Sequence, residues 1–300
     1  MIPIVILVAL AGMGRVEVLD IQKTDRVGRK IENRYLIADL SSRMLDGAKE
    51  DGGALRGLTY KPLGVTLLRT QHAVRMHWAP NLRRPDAPLF KGLGTWEPVQ
   101  EFREEQKDGV YIHHREGHLQ DFPEVKMEAE YRFYPGVPYF LFWSRMTVEK
   151  QLQVVAVRNN EMTMDHFFTH VVWPARNGKL RVATFDESAP ILAKEPVAAD
   201  APWMAFLNLE KGYGYGYVTL DYKTTKSVDS RMNVSSATNN GGKLWSRIII
   251  TGKQTQLDPG DRFEERSAYV LFHSSRDKPV QEFLTWRKKI RRKFRYTRTR

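Results

Sequence analysis

The chain has no cysteine among its 300 residues. That excludes disulfides, thiolate zinc sites and a cysteine nucleophile. A chain of this length can close a core without disulfides, so the absence leaves the compartment open. Helical periodicity is also scarce. Only Asp277 to Phe294 carries it, with Val280, Phe283, Leu284 and Ile290 at helical spacing, Pro279 in the first turn and Asp277 placed to cap it. No internal repeat of fixed period occurs. The glycine-rich run Gly212 to Tyr217 (GYGYGY) is followed by no helix, which argues against a phosphate loop. No recognised nucleic-acid-binding motif is present. No apolar run is long enough to span a bilayer. Nothing in the pattern calls for a cofactor or a metal, and none is expected.

What is present is strand pattern. Glu124 to Arg158 reads EVKMEAEYRFYPGVPYFLFWSRMTVEKQLQVVAVR, alternating apolar and polar, broken once at Pro135-Gly136. That predicts two long antiparallel strands joined by a tight turn. Tyr139, Phe140, Phe142 and Trp143 supply bulk for a sheet core, Trp143 included. Further strands are expected over Arg15–Ile21, Ile31–Leu40, Leu55–Tyr60, Val65–Leu68, His72–Trp78, Trp96–Arg103, Gly109–Arg115, Lys179–Phe185, Leu244–Thr251 and Arg262–His273. Trp203–Asp221 reads as a hairpin turning near Glu210-Lys211-Gly212. Ser41–Gly53, Asn81–Gly94 and Glu187–Pro202 read as loops. The fold class is all-β: a large antiparallel β-supersandwich with one short C-terminal helix. The domain layout is residues 1–14 as a signal segment, 15–276 as the sandwich and 277–300 as helix and basic tail.

The formal charge is +12, but Arg287 to Arg300 holds nine Lys or Arg and no acid, leaving the rest of the chain near +3. Such a tail is read either as a solvated extension or as a contact for an anionic envelope or glycan. Basicity alone would give only non-specific nucleic-acid binding, so no specific nucleic-acid partner is expected. The N-terminal MIPIVILVALAGMG is an apolar run ending in Ala9-Leu10-Ala11, like a cleavage site, though without a positive leader. It reads as a secretory signal, which places the protein as secreted or periplasmic, or as a first buried strand.

The central hairpin "EAEYRFYPGVPYFLFWSRMTV" and the closing "LDPGDRFEERSAYVLF" resemble the galactose-mutarotase-like β-supersandwich proteins. These include sugar mutarotases and the sandwich domains of polysaccharide lyases and glycoside hydrolases. The resemblance spans roughly Arg15 to Ser274 and implies a carbohydrate partner. Thr163-Met164-Asp165-His166-Phe167-Phe168 is similar to the mutarotase segment carrying a catalytic histidine, which implies that role for His166, with Asp165 where the family has asparagine. The late strand Ser246 to Ile250 lacks the family's carboxylate, and Glu264 and Glu265 follow the turn instead. Simple mutarotation is therefore not implied.

Five of the eight histidines fall in two segments, His113, His114 and His118 in YIHHREGHL and His166 and His170 in DHFFTH. Imidazole suits proton transfer near neutral pH or metal ligation. A spacing of four on a strand separates side chains by about 13 Å, too far for one metal. A lyase acting on uronates needs a group to neutralise the carboxylate, a base and an acid. The catalytic candidates are His114, His166, Arg115 and Tyr131, with Tyr134 as the alternative tyrosine on the paired strand. Substrate-binding candidates are His113, His118, His170, Trp78, Trp96 and Tyr215, the aromatics as flat platforms for pyranose rings. The bland reading of the same residues is structural histidine and core aromatic. The expectation is a carbohydrate-binding protein, its ligand read as an acidic polysaccharide on the concave sandwich face. It acts either as a lyase-type enzyme or as a non-catalytic glycan-binding, structural or envelope-docking module.

Overall fold

A computed structural model describes residues 15–22, 26–44, 55–68, 80–87, 101–118, 121–163, 168–175, 177–184, 201–226, 236–238 and 241–294. The strands in chain order are β1 (Glu17–Gln22), β2 (Arg26–Glu32), β3 (Leu36–Met44), β4 (Leu55–Tyr60), β5 (Val65–Leu68), β6 (Asn81–Arg83), β7 (Glu101–Lys107), β8 (Val110–His118) and β9 (Val125–Phe133). They continue as β10 (Tyr139–Val148), β11 (Leu152–Thr163), β12 (His170–Pro174), β13 (Leu180–Thr184), β14 (Trp203–Asn208), β15 (Tyr213–Thr224), β16 (Ser236–Thr238), β17 (Gly241–Leu257) and β18 (Arg262–His273). One α-helix, α1 (Gln281–Lys293), follows. No helix among the described residues is long and apolar enough to cross a membrane.

The strands form a five-stranded sheet β1-β2-β3-β4-β5, a nine-stranded sheet β13-β12-β14-β15-β18-β10-β9-β8-β7, and a four-stranded sheet β16-β17-β11-β6. One core joins all three: Ile31, Leu40 and Leu58 of the first, Leu82, Val154 and Leu257 of the third, and the inward row of the large sheet. The result is an all-β sandwich with one C-terminal helix. Period-two alternation decides the two faces of the large sheet. In β9, Met127, Ala129, Tyr131 and Phe133 point inward and are buried, while Lys126, Glu128, Glu130 and Arg132 point out.

The central hairpin forms as the pattern predicts: Phe133 pairs with Phe140, and Gly136 takes a left-handed φ of 63° in the turn. The second hairpin turns at Gly212, where the Lys211 amide donates to Asn208 Oδ1 at 2.9 Å. Several expectations need correction. Residues 41–44 continue β3 and Asn81–Arg83 is β6, where the pattern predicts loops. Ile31 to Leu40 is not one strand. Asn33 interrupts it, its Oδ1 accepting the amides of Tyr35 and Leu36 at 2.7 and 2.9 Å. An asparagine that bonds the backbone two and three residues on makes a turn where apolar pattern alone reads strand. Nor does Asp277 cap the helix. Val280 is the N-cap, with no side-chain cap bond.

The helix lies on the outer face of the large sheet, burying Val280, Phe283 and Ile290 against Trp203, Leu207, Val218, Val270 and Phe272. It covers the half around β14, β15 and β18. At the helix end of β10 the outward Tyr139 and Leu141 join this packing, the Trp286 ring lying 6.1 Å from Tyr139. Farther along β8 to β10 the outward row turns polar, with His114, Glu116, Glu128, Glu130 and Arg145.

Candidate functional site

Where the last turn of α1 meets the bare half of the sheet, a groove of about 440 Å³ opens. Arg103 of β7, His114 of β8, Glu130 and Arg132 of β9, Trp143 of β10 and Arg266 of β18 line its polar side, and Tyr134, Leu141 and Phe294 its apolar end. The volume falls within the range of small-molecule sites, about 300–1,000 Å³.

These side chains meet because they occupy outward positions at matched register. His114 pairs with Glu130 and Arg103, and Glu130 pairs with Trp143. The His114 and Trp143 rings face each other at 6.3 Å between centroids and 24° between planes. The Arg145 guanidinium lies 5.2 Å over Trp143, and the indole N–H donates to Glu264 at 3.0 Å. Both imidazole nitrogens face carboxylates: Nε2 is 3.3 Å from Glu116 and Nδ1 is 3.8 Å from Glu130. Glu130 first and Glu116 second raise the His114 pKa above its ordinary value against the opposing effect of burial. Burial pushes the Glu130 carboxyl upward, but His114 and Arg132 outweigh it and hold it below the ordinary carboxylate value. Arg132 pairs with Glu130, and Arg103 lies 3.6 Å from Glu116.

His114, Glu116 and Glu128 also bring ligand atoms within 4.8 Å of one another, a spacing open to a metal ion. Glu128 is already held by Arg145 through two bonds of 2.7 and 2.6 Å. Glu116 faces Lys126 at 3.7 Å as well as Arg103. A cation would have to displace these partners, so we read the group as an ion-pair network.

The predicted residues separate. His114 lies in the groove. His113, Arg115 and Tyr131 do not: each is 0% exposed, on the inward face of the same strands, beneath the other sheets. The reason is the alternation that brings His114 outward, since its neighbours at odd parity must face in. His113 accepts or donates with Tyr111 at 3.1 Å and Glu104 at 3.2 Å, and Arg29 of β2 donates to Glu104 at 2.9 Å across the sandwich. Burial lowers the His113 pKa to about 4, with Glu104 opposing and Arg115 adding to the fall. Burial would raise Glu104, yet His113, Tyr111 and Arg29 together hold it at about 2. Burial also lowers Arg115 to about 9, which leaves it cationic at neutral pH.

Tyr215 is likewise buried, stacked against Tyr269 at 5.9 Å, so the tyrosines of GYGYGY are core and not a platform. His118 bonds Glu149 at 2.7 Å at the far end of β8. His170 sits on β12, six strands from β8, roughly 29 Å at ordinary strand spacing. His166, Trp78 and Trp96 lie outside the described residues, as does the expected signal segment. Trp143, expected in the core, is instead half-buried on the groove face.

The pattern reading missed Arg103, Glu130, Arg132, Trp143 and Arg266 as site residues. Their parity was visible; EAEYRF already puts Glu128, Glu130 and Arg132 on one face. The register that sets Glu130 between His114 and Trp143 was not. Of the two glutamates after the late turn, Glu264 faces the groove side and holds Trp143. Glu265 is buried, accepting from Tyr217 at 2.5 Å and Asn159 at 3.1 Å.

No family model and no curated protein matches the chain. Among solved structures it is similar to a galactose mutarotase-like protein from Lactobacillus casei, at 11% identity over 85% of this chain and 100% of that one, TM-score 0.45. It is also similar to heparan sulfate lyase HepC from Pedobacter heparinus, at 9% identity, 87% of this chain and TM-score 0.46, and to a TPR-domain containing protein from Parabacteroides distasonis, at 10% identity, 82% of this chain and TM-score 0.47. The chain spans only 36% and 47% of those two proteins' lengths. At these identities the likeness is one of fold.

Proposed function

We propose that the protein binds a carboxylate-bearing saccharide in the groove beside α1. The observation that carries this is Trp143, which presents an indole in a cleft rimmed by Arg103, Arg132 and Arg266 and by the protonation-favoured His114. A flat indole packs on the apolar face of a pyranose, and a guanidinium binds a carboxylate in two-point fashion. Glu130 accepts sugar hydroxyls, a role that a ligand of dense phosphate charge would not use. The arrangement favours binding over elimination. Arg115 of the lyase trio faces the other side of the sheet with Tyr131, and of the two tyrosine alternatives only Tyr134 lines the groove. His114, flanked by Glu130 and Glu116, is placed as a cation or acid and not as a base. Export belongs to the same proposal, on the strength of the N-terminal apolar run.

The test is titration calorimetry of the full chain with a uronic-acid disaccharide and its neutral counterpart. The acidic sugar should bind more tightly, and Trp143→Ala should cost about tenfold, the order of one aromatic contact. Equal binding of both sugars, or an unaffected Trp143→Ala, overturns the reading. An unsaturated product whose formation stops in His114→Ala would replace it with the lyase alternative.

A further inference from the structure

The cations of α1 differ from the paired cations of the sandwich. Arg29, Lys61, Arg84, Arg145 and Lys226 each sit within 3.2 Å of a carboxylate. The helix carries Arg287, Lys288, Lys289, Arg291, Arg292 and Lys293, and none of the six forms an ion pair among the described residues. Three pairs of like charge stand four residues apart: Arg287 with Arg291, Lys288 with Arg292, and Lys289 with Lys293. Like charges at that spacing repel and weaken a helix. The helix dipole compensates only cations of the last turn, which leaves Arg287, Lys288 and Lys289 uncompensated. The Arg287 Nε is buried without a hydrogen-bond partner among the described residues. Burial first and Arg291 second lower the Arg287 pKa, a mark of the same crowding.

This cationic helix adjoins the groove. Phe294 at its C-terminal cap lines the groove, and Lys293 Nζ lies 4.7 Å over the ring of Tyr134, another lining residue. Lys288, Arg291 and Arg292 are exposed and share one helix face by their i, i+3, i+4 spacing.

We propose that the groove and α1 form one continuous face for a polyanionic saccharide chain: the groove takes one acidic residue, and Lys288, Arg291 and Arg292 neutralise those that follow. The inference rests on the groove's reading as a uronate site. A saccharide is favoured over nucleic acid because the groove end of the face sets the Trp143 indole, a surface for a pyranose ring, beside the Glu130 carboxylate, an acceptor for sugar hydroxyls.

The experiment titrates the full chain with oligogalacturonides from the disaccharide to the octasaccharide at low and physiological salt. Affinity should rise with chain length, more steeply at low salt. Lys288→Gln/Arg291→Gln/Arg292→Gln should bind the disaccharide like wild type and lose roughly tenfold or more at the octasaccharide, the order expected of three surface charges beside a polyanion. A wild-type affinity that does not change with length, or a triple variant that keeps the gain, overturns the continuous face. Single-stranded DNA of equal charge binding as tightly as the octasaccharide overturns the saccharide assignment. Loss of the disaccharide reading is seen separately, in Trp143→Ala, so failure of the groove and failure of the helix are distinguishable.

Discussion

Phe283 of α1 fills the space that a side chain at Gly216 would take: a Cβ built there would lie 2.2 Å from its ring. Gly214 stands in the same relation to Phe272, at 2.1 Å. The glycines of GYGYGY are therefore the outward half of a division of labour. Their tyrosines fill the core, and the absent side chains let the helix seat. Gly216→Ala should displace α1 and cost about 1–3 kcal/mol, the usual penalty of overpacking. Thermal melting and limited proteolysis at residues 277–294 would check it. A Gly216→Ala protein with unchanged melting and an uncut helix would mean that Phe283 yields freely.

Asn33 ties two hairpins together. Its amide nitrogen donates to the carbonyls of Tyr134 and Val137 at 2.7 and 3.0 Å while its oxygen serves the turn between β2 and β3. All four bonds are buried or nearly so, and Asn33 itself is 5% exposed. Asn33→Ala leaves those backbone groups without partners, at about 2–4 kcal/mol for several lost bonds. Asn33→Asp should be no better, because it sets a carboxylate against two carbonyls. Chemical denaturation of both variants measures this; a midpoint close to wild type for Asn33→Asp would show that the donor bonds contribute little.

Acid should weaken the fold from mildly acidic pH downward. His113 falls from an ordinary 6.5 to about 4, so between those values the unfolded chain binds a proton that the folded chain does not. Stability from this group is full above 6.5 and is lost as pH drops through about 4, by about 3 kcal/mol at most. Glu104, held at about 2, acts in the same direction below its ordinary 4.5. Denaturation midpoints measured across this range should fall with pH in wild type. They should flatten between pH 6.5 and 4.5 in His113→Gln, leaving the Glu104 contribution below that. A wild-type midpoint independent of pH over the range would contradict the assignment.

Anion binding in the groove should follow the opposite direction. His114 has a raised pKa, so its positive charge is present at low pH and is lost as pH rises through that value. Affinity for a uronic-acid disaccharide should drop over the same rise. His114→Gln should bind more weakly at low pH and lose the dependence. Parallel pH profiles in the two proteins would remove His114 from the site.

Local pattern was enough for the all-β class, the central hairpin, the C-terminal helix and the parity of each residue along its strand. Alternation and turn chemistry are local, and they survive without knowledge of neighbours. It could place His113 and His114 on opposite faces but could not say which face is interior, since both rows of β8 mix polar and apolar residues. That depends on which layers pack against each face. Packing of the smaller sheets buries His113, Arg115 and Tyr131, and helix docking covers part of the other face and leaves a groove at its edge. The grouping of His114, Glu130 and Trp143 comes from strands up to 29 residues apart at a register fixed by the turns between them. Their meeting is a property of the assembled sheet, because hydrogen-bonded register and layer order are set by contacts among distant segments and not by any one stretch of chain.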